Sequence, residues 1–371
     1  MYQNQFSMFE RIGHTILGNL PFRNIIIENL NKFRIKQIKK LKTPINVVFY
    51  VTDGCNLRCK HCFYWKNLKN KNDELKIDKI KKIAKSFKHP LHMLSLTGGE
   101  PFMRQDIVEI CNLFYKYNNT KRINIATNGI LTGKIVEATK IILRNNPTKR
   151  FTIFISLDGL QSTHDSIRNY NGSFEKAIKT IKELKKIKNK NLSIFVATTI
   201  TEQNFEELPE LIQFVKALKV IHKFNLLRNN STVHNIDPSL LHDFDPQHAK
   251  LPKNKDLEKV FQIIKNNGKS ISNKVETLKI KYSIDLLKNF HKIKCLATFT
   301  DMVLFPKGDI SVCEPTNSFG NLKDWDYNVY KAWDSKHANK RKSKLKSCSC
   351  IQSCNLLNSM KYDTKTLKKI L

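Results

Sequence analysis

The chain has 371 residues, 40% of them hydrophobic, enough apolar content for one large domain and a smaller one. Its longest apolar run, "INVVFYV", falls far short of the roughly 20 residues that cross a bilayer, and no charged n-region with an apolar h-region opens the sequence. A cytosolic protein is expected, with peripheral membrane contact left open. The formal charge of +33 is spread as Lys through helical segments such as "KAIKTIKELKKIKNKN", so solvated helix faces account for it as well as an anionic partner does.

In chain order, residues 1–45 read as an amphipathic helical extension. "MFERIGHTILGNL" puts Phe9, Ile12, Ile16, Leu17 and Leu20 on one face, and "IIIENLNKFRIKQIKKLK" carries an apolar stripe beside basic residues. Packing on a core and lying on a membrane surface both suit such helices. From Val47 short β-branched runs alternate with longer amphipathic ones: "NVVFYVT", "IDKIKKIAKSF", "HMLSLTG", "DIVEICNLFYKY", "RINIATNG", "GKIVEATKIILRN", "FTIFISLDG", "SFEKAIKTIKELKKI", "LSIFVATTIT", "ELPELIQFVKAL" and "VIHKFNLLR". Six strands alternating with helices predict an α/β fold with a parallel sheet over residues 46–228. The polar stretches "TDGCNLRC", "TGGEP", "TNG" and "SLDG" all follow strand C-termini, the edge where such sheets bind ligands. Residues 229–290 lose the alternation and read as linker with helical segments. A cysteine-bearing module occupies 291–371.

Nine cysteines in a chain with no secretory signal fit a disulfide framework poorly. Cys111 sits alone in an apolar helical pattern and reads as a core thiol. Cys55, Cys59 and Cys62 lie within eight residues, in a C-x3-C-x2-C pattern, and thiolates select zinc, copper(I) or iron-sulfur clusters. Structural zinc takes four ligands, whereas three thiolates on a 4Fe-4S cluster leave one iron open to substrate or cofactor.

This triplet after the first strand, with "TGGEP" after the second, resembles the radical S-adenosylmethionine (SAM) superfamily over most of residues 46–227. The resemblance implies a partial (β/α)6 TIM-type barrel, a 4Fe-4S cluster on the three cysteines, and SAM bound to its open iron. It implies that Gly98, Gly99, Glu100 and Pro101 receive the amino group of the cofactor methionine. Ser156 and Arg168 would hold its carboxylate, a task suited to the planar fork of arginine. Asn128 lies in the third-strand motif, with Thr127 and Gly129, while His61 and Phe63 fall where the family packs the adenine. The implied chemistry is reductive cleavage of SAM to a 5′-deoxyadenosyl radical that abstracts hydrogen from a substrate, with flavodoxin or ferredoxin as the kind of electron donor.

Cys295, Gly308-x4-Cys313 and "CSCIQSC" resemble the C-terminal module known as SPASM or, when shorter, Twitch. Five cysteines here suit one auxiliary 4Fe-4S cluster. Cys295, Cys313 and Cys354 are the expected ligands, completed by Cys348 or Cys350; zinc also suits four thiolates. Glu314 directly follows Cys313, where anaerobic sulfatase-maturating relatives carry a carboxylate that removes a substrate proton, and so is a candidate catalytic base. For the substrate, a small, glycan-like or lipid-linked molecule is the first expectation, because residues 1–45 are too short for a winged-helix leader-binding domain. A peptide or protein maturase is the alternative. A nucleic-acid role is disfavoured, since aromatics do not interleave with the basic runs.

Overall fold

The computed structural model describes residues 24–68, 74–268, 270–288, 293–345 and 348–370, together with the backbone of Arg23. The expected helix "MFERIGHTILGNL" lies outside them. The described elements begin with helix α1 (Arg23–Lys39) and strand β1 (Asn46–Thr52), followed by α2 (Ile77–Ser86), β2 (Met93–Gly98), α3 (Ile107–Tyr117), β3 (Arg122–Thr127), α4 (Thr132–Asn145) and β4 (Arg150–Ser156). Two helices, α5 (Gln161–Arg168) and α6 (Ser173–Lys185), then precede β5 (Leu192–Ile200), α7 (Leu208–Ala217) and β6 (Ile221–Leu226).

Strands β1 to β6 lie side by side in sequence order, each parallel to the next. This is the parallel sheet expected from the alternation, in the partial (β/α)6 arrangement that the resemblance implies. Its helices cover one face with the apolar stripe that their periodicity predicts: Ile80, Ile83 and Ala84 of α2 and Ile107, Ile110 and Cys111 of α3 are all buried. Cys111 is a core thiol. Strands covered on both faces read as near-continuous apolar runs, as β1 does.

Residues 229–290 contain a two-residue strand β7 (Val233–His234) and two full helices, α8 (Asn254–Lys265) and α9 (Ile271–Leu287). The alternation fails there because these helices are not separated by strands. Both pack into a second apolar cluster that includes Phe224, Leu257, Val260, Ile280 and Ile284. Helix α9 lies against β6, the edge strand of the sheet.

The cysteine-bearing region is joined to the barrel through its sheet. After α10 (Ala297–Thr300), strand β8 (Asp301–Leu304) pairs in parallel with β1, in register from Asn46 opposite Asp301 to Phe49 opposite Leu304. Strands β9 (Asp309–Ser311) and β10 (Gly320–Asn321) continue the sheet antiparallel. Helices α11 (Val329–Trp333) and α12 (Lys336–Lys344), strand β11 (Ser349–Cys350), α13 (Ser353–Met360) and α14 (Thr364–Ile370) complete the described chain. Strand β11 pairs with β7, tying the last cysteines to the segment after the barrel.

Helix α1 packs on this C-terminal region. Asn31 donates to the Tyr362 carbonyl at 2.7 Å, and the Arg34 guanidinium lies 4.6 Å from the Tyr362 ring centroid. Its outer face leaves Ile25, Leu30 and Phe33 exposed. Among the described residues no helix is long and apolar enough to cross a membrane.

Candidate active site at the strand ends

A cavity of about 370 Å³ opens at the C-terminal edge of the barrel strands. Its wall contains Cys55, Cys59, Cys62, His61, Phe63, Gly98, Gly99, Glu100, Asn128, Ser156 and Arg168, and also Arg228, Glu314 and Cys354. Residues from every loop singled out in the sequence therefore meet in one space. Pro101 stands just behind it, starting the short turn that caps the GGEP loop.

The glycines are required by close packing. Gly98 has φ +121°, and a Cβ there would lie 2.3 Å from the Thr52 carbonyl oxygen; at Gly99 it would lie 2.0 Å from the Gly54 carbonyl oxygen. The GGEP loop is thus pressed against the start of the cysteine loop. Glu100 turns into the scaffold, accepting from Thr127 Oγ1 at 2.8 Å, the Asn128 amide at 2.8 Å and the Phe102 amide at 3.2 Å. Burial pushes its carboxyl up to about 7 in spite of these donors. Its contacts make it a strut between the second and third strand ends. The Asn128 side chain donates to Asn56 Oδ1 at 2.7 Å, linking the third-strand motif to the cysteine loop.

Arg168 arrives on α5, a helix missed by the sequence reading because its eight residues carry few apolar positions. Its Nη2 lies 2.5 Å from Asp158 Oδ2, and its Nη1 is 3.7 Å from Cys59 Sγ. Burial acts to raise the Asp158 carboxyl, but the Arg168 charge outweighs it and holds the group below its ordinary range. Asp158 also accepts from the Thr199 amide at 2.9 Å and lies 4.0 Å from His61 Nε2. Burial lowers His61 to about 4, so the ring is neutral at pH 7. Asp158 and Asn56 were not singled out from the sequence; the only signal was their place in "SLDG" and "CNLRC".

Glu314 is reached from two sides: Tyr50 Oη donates to its Oε1 at 2.6 Å, and Arg228 Nη1 donates to its Oε2 at 3.1 Å. The Arg228 guanidinium also covers the Phe63 ring at 4.2 Å. Burial, then the Glu314 charge, pushes the Tyr50 phenol up, keeping it protonated as a donor.

The back cysteines Cys295, Cys313, Cys348, Cys350 and Cys354 are all free thiols, half-buried or buried. Cys295 and Cys348 are hydrogen-bonded to each other, and Cys313 lies within electrostatic reach of Cys295 and Cys350. Cys354 instead has Glu314, Arg228, Asp301 and Lys279 as its charged neighbours. Cys350 lies on β11 and Cys354 in the first turn of α13.

The front residues fit a cluster with a polar ligand. Arg168 Nε and His61 Nδ1 are buried with no hydrogen-bond partner among the described residues, although both residues line the cavity. Burial pushes the Cys55 and Cys62 thiols up to about 12 and about 11, so metal binding there must displace protons. Among the described residues no three His, Cys, Asp or Glu side chains converge on a site the size of a single ion. A four-iron cluster holds its thiolates farther apart than one ion does.

Residues 49–215 match the family described as the Radical SAM superfamily. The AdoMet-dependent heme synthase of Methanosarcina barkeri is 32% identical over 51% of this chain and 53% of its own length. The antilisterial bacteriocin subtilosin biosynthesis protein AlbA of Bacillus subtilis is 30% identical over 58% of this chain and 45% of its own. The chain thus spans about half the length of these curated relatives. Streptococcus suis SuiB, solved bound to the precursor peptide SuiA, shares the fold at TM-score 0.56 and 17% identity, over 88% of this chain and 72% of that one. With the cysteine triplet, the glycine loop and Arg168 gathered at one barrel edge, residues 49–215 make up a domain of the radical S-adenosylmethionine superfamily.

Proposed function

We propose that this chain is a peptide maturase that oxidises or crosslinks a side chain by radical SAM chemistry. The observation that carries this reading is the cavity of about 370 Å³ that joins the cysteine triplet to the Tyr50–Glu314–Arg228 group. The names of AlbA and SuiB support the peptide over the glycan-like or lipid-linked substrate first expected. When bound, the reduced 4Fe-4S cluster and SAM supply a 5′-deoxyadenosyl radical that removes a substrate hydrogen.

The chain's own residues do the positioning. Cys55, Cys59 and Cys62 would hold the cluster. The glycine loop packs closely on the start of the cysteine loop and fixes its place at the strand end, and Arg168, restrained by Asp158, presents its guanidinium to a carboxylate. His61 and Phe63 supply ring faces. Glu314 is placed to accept a substrate proton, with Arg228 and Tyr50 fixing the carboxylate's orientation. Cys295, Cys313, Cys348 and Cys350 would hold the auxiliary cluster.

Anaerobic reconstitution followed by incubation with SAM, dithionite and a pool of short peptides tests the reading. Peptide-stimulated 5′-deoxyadenosine release with a peptide mass loss of about two hydrogens is expected. Stimulation by oligosaccharides or lipid-linked sugars alone would overturn it. The exposed Ile25, Leu30 and Phe33 beside Lys32, Lys36 and Lys39 favour a second element, contact with an anionic lipid surface. Flotation with anionic but not neutral liposomes is expected.

A further inference from the structure

A second cleft, of about 520 Å³, opens at the other end of the sheet from the reaction cavity. Its walls come from the end of α1 and the connection that follows it (Lys39 and Lys42), from α10 (Phe299), from α11 (Tyr330 and Trp333) and from α12 (Lys342). Lys42 and Phe299 stand just before β1 and β8, whose N-terminal ends lie side by side, whereas the cysteine loop follows the C-terminal end of β1. The seven residues of β1 separate the two, about 20 Å at roughly 3.3 Å per residue. A group held in this cleft is out of reach of the reacting atoms.

The lining combines cations with rings. Lys342 Nζ donates to the Trp333 carbonyl at 2.7 Å and lies 4.0 Å from the Trp333 ring centroid, so its ammonium is fixed in the wall. Burial lowers it only to about 8, which leaves it mostly protonated at pH 7. Lys39 and Lys42 stand exposed on the α1 side. Lys88, just outside the lining, places a further ammonium 4.8 Å from the Tyr330 ring centroid. Among the described residues that line the cleft Asp334 is the one carboxylate, so three lysines meet one acid. The half-buried rings of Phe299 and Tyr330 supply apolar surface beside them. A small inorganic anion would satisfy an ammonium and leave the rings unused, whereas a chain segment with several carboxylates and apolar side chains uses both.

We infer that this cleft is a recognition site for an acidic segment of the peptide substrate, one that carries apolar side chains among its carboxylates. The inference rests on the peptide reading for its partner. Because the cleft and the cysteine loop are separated by the length of β1, the acidic segment and the residue that reacts must lie at least about six extended residues apart, at roughly 3.3–3.6 Å each. The cleft holds the substrate near the reaction cavity and sets specificity away from the chemistry.

The test is fluorescence anisotropy of the reconstituted full chain with two labelled hexapeptides, one alternating glutamate with phenylalanine and one alternating glutamine with phenylalanine. Salt at about 0.15 M screens the diffuse surface charge. The acidic peptide is expected to bind roughly tenfold more tightly, the worth of two exposed ion pairs together. Lys39→Gln combined with Lys42→Gln should remove most of that preference, while Lys188→Gln combined with Lys190→Gln, at two exposed lysines between α6 and β5, should leave it intact. Both double variants change the net charge equally. Equal binding of the two peptides by the native protein, or equal losses in the two double variants, overturns the site. Phosphatidylglycerol vesicles that bind through Lys39 and Lys42 where the acidic peptide does not would give the cleft to lipid and overturn it as well. Peptide-stimulated 5′-deoxyadenosine release with no acid preference removes the site and keeps the maturase. Acid-selective binding that is lost with Lys39 and Lys42, on a chain whose SAM cleavage no peptide stimulates, upholds the cleft as a site for an acidic segment and overturns the peptide reading alone.

Discussion

Tyr50 and Glu314 stand 264 residues apart in the chain and are joined by a 2.6 Å hydrogen bond inside the cavity. The bond connects the first barrel strand to the residue after Cys313, so the C-terminal region helps build the reaction space. If Glu314 takes the substrate proton, Glu314→Gln should leave 5′-deoxyadenosine release running while product falls roughly a hundredfold or more. Product and 5′-deoxyadenosine quantified in the same reaction check this. Matched loss of both would assign Glu314 a structural part only.

Arg168 is 2.5 Å from Asp158, which orients its fork. Arg168→Lys keeps the charge and loses the paired donors, a loss of about 1.5–3 kcal/mol for hydrogen bonds to a charged group. SAM should bind roughly tenfold or more weakly, with iron content unchanged. Equilibrium dialysis and iron assay separate the two effects.

Gly99→Ala places a methyl where only 2.0 Å separates it from the Gly54 carbonyl oxygen, which backbone movement alone can relieve. The cysteine loop is the part that must shift. Iron incorporation at the front site is expected to fall while far-ultraviolet circular dichroism keeps the native helix signal. Normal iron loading in Gly99→Ala would show that the loop tolerates the shift.

The barrel was legible because its signals are simple: β1 is a short apolar run, β2 alternates with a two-residue period, α2 between them keeps a 3.6-residue stripe, and strand-end loops locate a site in any parallel sheet. Arg168 was found through its spacing after "SLDG", but the helix that carries it was not, since "QSTHDSIR" is polar along most of its length. Asp158, Asn56, Arg228 and Tyr50 escaped because their roles come from pairings across the fold. The placement of Cys350 was not legible for a related reason: it depends on β11 pairing with β7, a contact between residues 349–350 and 233–234 that no local pattern announces.

His222 is buried on β6 and shares a 2.7 Å hydrogen bond with Thr198. Burial depresses it to about 3, below the unfolded value near 6.5. The folded form therefore binds fewer protons than the unfolded chain between those values, so this residue's contribution is present above pH 6.5 and is lost as pH falls toward 3. Between pH 6.5 and 4.5 the loss amounts to roughly 2–3 kcal/mol at 1.36 kcal/mol per unit. Denaturant unfolding of the apo-protein and of His222→Gln at pH 7 and pH 4.5 checks the sign: acid should cost the native protein more than the variant.

Cys354 lies among Glu314, Arg228 and Lys279, whereas Cys295, Cys313, Cys348 and Cys350 lie near one another. The two arrangements give different iron counts. With four iron per cluster, the native protein should hold about eight, and Cys350→Ala should fall to about four. Cys354→Ala should stay at about eight, since its thiol belongs to the cavity wall. A fall in Cys354→Ala with none in Cys348→Ala would return Cys354 to the ligand set and free Cys348. Zinc in place of the second four irons would leave the four-cysteine grouping intact and change only what it holds, because four thiolates suit either.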